Sequence, residues 1–110
     1  VGILAEGIAR GPGIIIFAGL APAQAASFNC GRANLNAEVA ICNTPNLSDL
    51  DEQIADRYFE IYNRSSKWEQ RRLKREQKSW LRQRNSCGYE IYCLEQTMTE
   101  RRDTLFSFGD

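Results

Sequence analysis

The sequence predicts an all-α fold: a small disulfide-stapled helical bundle of three main helices plus one short N-terminal helix. Three observations predict it. Stripes of mainly apolar residues recur at steps of three and four from Leu47 to Ile61, from Leu73 to Cys87 and from Ile91 to Leu105, with Gln77, Arg84 and Arg101 in line, the period of an amphipathic helix. Strand-like alternation of useful length, internal repeats and low-complexity segments are missing from the sequence. All four cysteines, Cys30, Cys42, Cys87 and Cys93, fall in the last three quarters of the chain, an even number in a small domain, which is how disulfides are used.

At 110 residues the chain holds one domain at most, expected over residues 26–110 behind a signal peptide at 1–25. Ile14 to Leu20 is uninterruptedly apolar or small, and Ala23-Gln24-Ala25 has the small-x-small form that signal peptidase accepts, so cleavage is expected after Ala25. The leader is weak, with Arg10 its one positive charge and Glu6 opposing it. Its apolar run is far short of the roughly 20 residues that span a bilayer, which argues against a stable membrane anchor. Four cysteines allow three connectivities, and spacing leaves them open. The local pairs Cys30–Cys42 and Cys87–Cys93 are expected, because each would tie a loop directly onto a helix end.

Ser27 to Leu35 reads as irregular, with Cys30 and Gly31 in a turn. Asn34 or Asn36 can cap a short helix to about Cys42, with Glu38 in its first turn and Val39 and Ile41 as a small apolar face. Asn43-Thr44-Pro45-Asn46 then breaks the chain, since the residue before proline avoids helical geometry. From Leu47 to about Asn63, Leu50, Ile54, Tyr58 and Ile61 continue one stripe, Phe59 and Tyr62 widen it, and Asp51 borders it. Ser65 or Ser66 caps the next helix, with Glu69 set for a capping box. A connection this short makes the two helices antiparallel neighbours. The basic helix carries Leu73, Gln77, Trp80, Arg84 and Cys87 on one stripe, anchored by Trp80, and should stop near Asn85-Ser86-Cys87-Gly88, where glycine supplies a left-handed cap. The last helix, from Tyr89 or Glu90 to Leu105, lines up Ile91, Leu94, Met98, Arg101 and Leu105 inside.

Gln77, Arg84 and Arg101 stand in line with apolar residues, so each needs a partner; a polar group buried without one costs a few kcal/mol. Asp51, at a core margin, is the carboxylate expected to pair with one or both arginines. Tyr58 and Trp80 are the expected aromatic anchors of the core.

Lys+Arg and Asp+Glu both number 14, yet the charges are segregated. A basic helix, with Arg72, Arg75, Lys78 and Arg82 on its outer side, lies between acidic segments, the first bearing Asp49, Glu52, Asp56 and Glu60 at near-helical spacing. Charge matching between neighbouring helices and solvated outer faces account for most of this. Either face is also a candidate binding surface.

The order of these features resembles the LprI-type lysozyme inhibitor N-terminal domain, a family of small exported bacterial helical proteins. The matching residues are Cys30; Glu38 with Ile41-Cys42; Pro45, Leu47 and Leu50-Asp51; Tyr58; Gln77 with Trp80-Leu81, Arg84 and Cys87; then Cys93-Leu94 and Arg101, together covering essentially all of residues 30–105. The resemblance implies a helical periplasmic or cell-envelope domain and, for the member that lends the family its name, inhibition of lysozyme. The chain departs from it at Ser27-Phe28-Asn29, which lack the small residues of a lipobox and so argue against lipid attachment, and at Met98, where an aromatic residue is common.

Catalysis finds little support. There is no histidine, no phosphate-cradling glycine loop and no metal-ligand spacing such as CxxC, and paired cysteines leave no thiol nucleophile. No cofactor or metal is expected. The run RRLKREQKSWLRQR mixes bases with an aromatic, but export and the flanking acidic segments argue against nucleic acid. A membrane-surface helix is disfavoured because its apolar residues are needed for the core. The expected work is protein binding in the periplasm or outside the cell: lysozyme inhibition by resemblance, or an interaction module of the cell envelope with no lysozyme target. An inhibitor must block a cleft built around two carboxylates. It could do so with the basic side chains, or the acidic face could attract a cationic lysozyme.

Overall fold

Side-chain capping fixes the start of two elements, at Asn29 and at Ser66. The computed structural model describes residues 26–108, so the expected signal peptide lies outside the described residues. Among those residues there are four α-helices and no strand: α1 (Asn36–Asn43), α2 (Pro45–Asn63), α3 (Lys67–Asn85) and α4 (Ile91–Ser107), preceded by a 3-10 turn at Cys30–Arg32. This is the all-α disulfide-stapled fold that the periodicity predicts. Both local disulfides are present, Cys30–Cys42 and Cys87–Cys93.

Asn29 opens the 3-10 turn, its side chain accepting from the Gly31 N–H at 2.9 Å. At α1 the expected asparagine cap is replaced: Leu35 occupies the cap position and offers no side-chain bond, while Asn36 is already helical. The buried face of α1 is Ala37, Ala40 and Ile41. Val39 does not share it, because two residues turn an α-helix by about 200° and put Val39 on the far side from Ile41. Thr44 alone separates α1 from α2, with Pro45 in the first turn, where its missing N–H costs nothing.

Along α2 the whole predicted stripe is buried, with Asp51 inside it. Ser66 caps α3 in a reciprocal box: its hydroxyl accepts from the Glu69 N–H at 3.2 Å, and Glu69 Oε1 accepts from the Ser66 N–H at 3.0 Å. Leu73, Trp80 and Arg84 are the buried residues of α3. The α3–α4 turn passes through Gly88 at φ +61°, where an added Cβ would meet nothing within 4 Å, so the backbone angle alone requires glycine. On α4, Leu94, Met98 and Leu105 are fully buried, but Ile91 is exposed, against its expected inward place. The helix starts only at Ile91, and the buried section of its face begins one turn later at Leu94.

The α2–α3 turn brings those two helices together, yet the most extensive packing of α2 is against α4. The physical reason is the width of the apolar faces: α4 presents three fully buried side chains, whereas α3 is charged over most of its circumference. The single core joins Ile41, Leu47, Ile54, Tyr58, Trp80, Leu94, Met98 and Leu105, with Ala26 at its edge.

Candidate interaction surface and a buried polar layer

Four of the expected core polar residues converge around Trp80. The ring lies 5.8 Å from the Arg84 guanidinium and 5.9 Å from that of Arg101, close enough for cation–π attraction to both. Its Nε1–H points to the Thr97 carbonyl at 3.4 Å. Arg101 donates through Nε and Nη2 to Gln77 Oε1 at 3.2 and 2.8 Å, so its acceptor is Gln77, not Asp51. Asp51 and Arg84 are 5% and 4% exposed, and they approach to 3.9 Å between Oδ1 and Nη1. The short bonds of Arg84 go elsewhere, from Nε and Nη2 to Asn85 Oδ1 at 3.1 and 2.8 Å. The close donor to Asp51 is the backbone N–H of Ser27, 2.6 Å from Oδ2.

Desolvation dominates the electrostatics of this layer. Burial pushes the Asp51 carboxyl up, against the Ser27 hydrogen bonds and the Arg84 charge, and Glu38 pushes it the same way. Burial likewise lowers Arg84, against Asp51 and Glu38, and lowers Arg101, against Glu76 and Tyr58. Tyr58, stacked on Tyr62 with ring centroids 5.9 Å apart, is raised by burial. Ser27, Glu38 and Asn85 have no place in the sequence reading of this layer. Only Glu38 carried a signal there, as a first-turn carboxylate.

The two charged faces differ in what they leave available. Arg75, Lys78 and Arg82 are exposed on α3, while Arg72 lies over the Trp68 ring at 5.6 Å and contacts Glu76 at 3.4 Å. The acidic face is interrupted: Asp49 and Asp56 are exposed, Glu52 is partly buried, and Glu60 binds Arg57 at 2.6 Å. An open cleft of about 440 Å³ at the α2–α3 turn mixes Arg64 and Arg72 with Glu69 and Glu76. On the basic helix the one large exposed apolar side chain is Trp68, beside Arg72.

The loop closed by Cys87–Cys93 gathers three exposed apolar or aromatic side chains in a short span. Tyr89 and Tyr92 are 61% and 69% exposed, and Ile91 stands exposed between them. The other exposed aromatics, Trp68 and Phe106, each have a guanidinium near one ring face, from Arg72 and from Arg57 at 5.2 Å, and stand apart from other exposed aromatic side chains. The loop backbone is held at both ends, by Cys87 N–H to Arg84 O at 3.0 Å, Gly88 N–H to Asn85 O at 3.2 Å, Glu90 N–H to Cys87 O at 3.1 Å and Leu94 N–H to Glu90 O at 3.0 Å. A covalent ring with these bonds constrains the backbone that carries the two tyrosines before any partner arrives, which lowers the entropy lost on binding. From Asn85 to Glu100 the charges are Glu90, Glu95 and Glu100, all negative. The sequence reading missed this surface because Ile91 fits the inner stripe by spacing. The available signal was a tyrosine on each side of it within a cysteine-closed loop.

Among the described residues no group of three metal-ligating side chains gathers, and no helix is long and apolar enough to cross a membrane. Comparison of the chain with protein-family models, curated proteins and solved structures finds no match.

Proposed function

We propose that this chain is an exported protein-binding domain of the bacterial cell envelope, without enzymatic activity, and that it inhibits lysozyme through the Cys87–Cys93 loop. The observation that carries the reading is the joint exposure of Tyr89, Ile91 and Tyr92 on a backbone closed by a disulfide. Tyrosine is favoured at interface centres because it buries large area at small entropic cost while its hydroxyl can still find a partner. Two disulfides fit an oxidising compartment, and periplasmic or secreted location follows from the signal-peptide reading of residues 1–25. The target is supplied by the resemblance to the LprI-type domain.

In this reading the two tyrosine rings fill a concave cleft, and Glu90 and Glu95 meet a cationic rim. Occupying the cleft excludes substrate, so inhibition needs no bond-making by this chain. The basic residues Arg72, Arg75, Lys78 and Arg82 and the acidic residues Asp49, Glu52, Asp56 and Glu60 then steer association without forming its centre.

A cell-wall turbidity assay with several lysozyme classes tests the proposal. The oxidised protein should inhibit in proportion to dose and lose the effect on reduction. Tyr89→Ser with Tyr92→Ser should weaken inhibition by about tenfold or more, the loss of ~1.4 kcal/mol or more that an interface centre carries. Charge reversal on α3 or α2 should alter chiefly the salt dependence. Failure of a folded, oxidised sample to inhibit any lysozyme removes that target, and leaves an envelope interaction module with no lysozyme target as the better account.

A further inference from the structure

We infer that Ala26 is the amino terminus of the working protein and that its ammonium group completes a charge cluster at the core margin with buried Asp51 and Arg84 and half-buried Glu38. The inference rests on the exported reading for the cleavage after Ala25, and on geometry for what the cleavage does.

Ala26 is 1% exposed and belongs to the core. The next residue, Ser27, gives its N–H to Asp51 Oδ2 at 2.6 Å. The nitrogen of Ala26 is one residue further back, at most ~3.6 Å along the chain, which brings it within roughly 6 Å of the same carboxylate oxygen. A cavity of about 160 Å³ adjoins it, lined among others by Ser27, Glu38, Asp51, Trp80 and Arg84.

The charges there do not balance. Asp51 and Glu38 bring two carboxylates and Arg84 one guanidinium, whose short hydrogen bonds are given to Asn85. Asp51 and Arg84 are buried and Glu38 is half-buried beside them, so the excess negative charge is only partly solvated and a cation joining it adds stability. While Ala26 is peptide-linked its nitrogen is neutral and carries one donor. Hydrolysis of the Ala25–Ala26 amide by a signal peptidase adds the hydroxyl of water to the Ala25 carbonyl and its proton to the Ala26 nitrogen. A further proton from solvent makes the ammonium, with three donors and the missing charge. Maturation then does more than release the chain: it neutralises the cluster and fastens the first residues onto α2 and α3.

The test uses the full chain with residues 21–25 replaced by an enteropeptidase recognition sequence, so one folded preparation supplies linked and free Ala26. Cleavage should raise Tm by about 4 to 8 °C, the shift that ~1 kcal/mol produces in a domain of this size. Titration of the freed amine by nuclear magnetic resonance after isotopic dimethylation should show its pKa above the ordinary value of about 7.7 to 8.0. Both effects should shrink in Asp51→Asn and, where that variant folds poorly, in Glu38→Gln. A cleaved chain with unchanged Tm and an ordinary amine pKa overturns the charge cluster. Recovery of an exported wild-type chain that begins at another residue overturns the assignment of Ala26. Neither readout depends on lysozyme, so failure here and failure of the inhibitor reading are told apart.

Discussion

A carboxylate taken out of water keeps its charge only if donors or cations follow it inside, and at Asp51 they come from two distant parts of the chain: the Ser27 N–H as donor, and the Arg84 guanidinium as a counter-charge 3.9 Å away. Asp51→Ala should therefore lower stability by about 3 to 5 kcal/mol, as breaking a buried pair does, while Asp56→Ala on the exposed side should change it little. Urea denaturation of the two variants checks this, and equal midpoints would sink the paired role of Asp51. The pH dependence has a defined sign. With Ala26 peptide-linked, burial and Glu38 raise the Asp51 carboxyl above its ordinary 3.8, against Ser27 and Arg84. The folded state then holds this proton more tightly than the unfolded state. The stabilisation is fully present below the unfolded value and is lost as pH rises through the raised one. Asp51→Asn should flatten that part of a Tm profile taken from about pH 3 to pH 7. The burial of Asp51 was legible in the sequence because it stands one turn after Leu47 on the stripe. Its closest donor was not, because Ser27 lies 24 residues earlier in a segment without periodicity.

Helix ends show the same contrast between near and far partners. The Ser66–Glu69 box could be read directly, since both bonds close within three residues. The far end of α4 could not. Its last turn has no basic residue, and its carbonyls are served by Arg57 of α2, which donates from Nε to Leu105 O at 3.1 Å and from Nη2 to Phe108 O at 2.8 Å. A cation there also suits the negative end of the helix dipole. Arg57→Ala should cost about 1.5 to 3 kcal/mol, the range for hydrogen bonds from a charged group, and Arg57→Lys should recover only part of it because an ammonium lacks the planar fork. Hydrogen exchange resolves the effect: amides in the last turn of α4 should lose protection ahead of those at Leu94 and Met98. Uniform loss along α4 would assign Arg57 a general rather than a terminal role.

At the scale of the molecule, one core is closed at two corners by disulfides of sequence separation 12 and 6. By the chain-entropy argument each contributes about 2 to 3 kcal/mol, a large part of the stability of a domain this small. Replacing Cys30 and Cys42 together by serine should release the first residues from α1. Replacing Cys87 and Cys93 together should instead loosen the loop that presents Tyr89 and Tyr92. Each double variant should fall by about that amount in denaturant, and only the second should weaken the proposed lysozyme inhibition in an oxidised sample. Equal inhibition by the two variants would separate the loop from the function.

The sequence by itself determined four helices, their approximate ends, the left-handed turn at Gly88, the stripes of α2 and α3, and an even set of cysteines. Each is written in spacings of a few residues, where helical period, capping and backbone sterics act. Tertiary structure alone decided that α2 packs chiefly on α4, that Arg101 turns to Gln77 while Asp51 takes Ser27, that the local cysteines join, and that Ile91 faces outward with its two tyrosines. Those outcomes depend on which surfaces meet across the chain. Periodicity says which side of a helix is apolar but not which neighbour covers it, nor how far along the helix that cover extends.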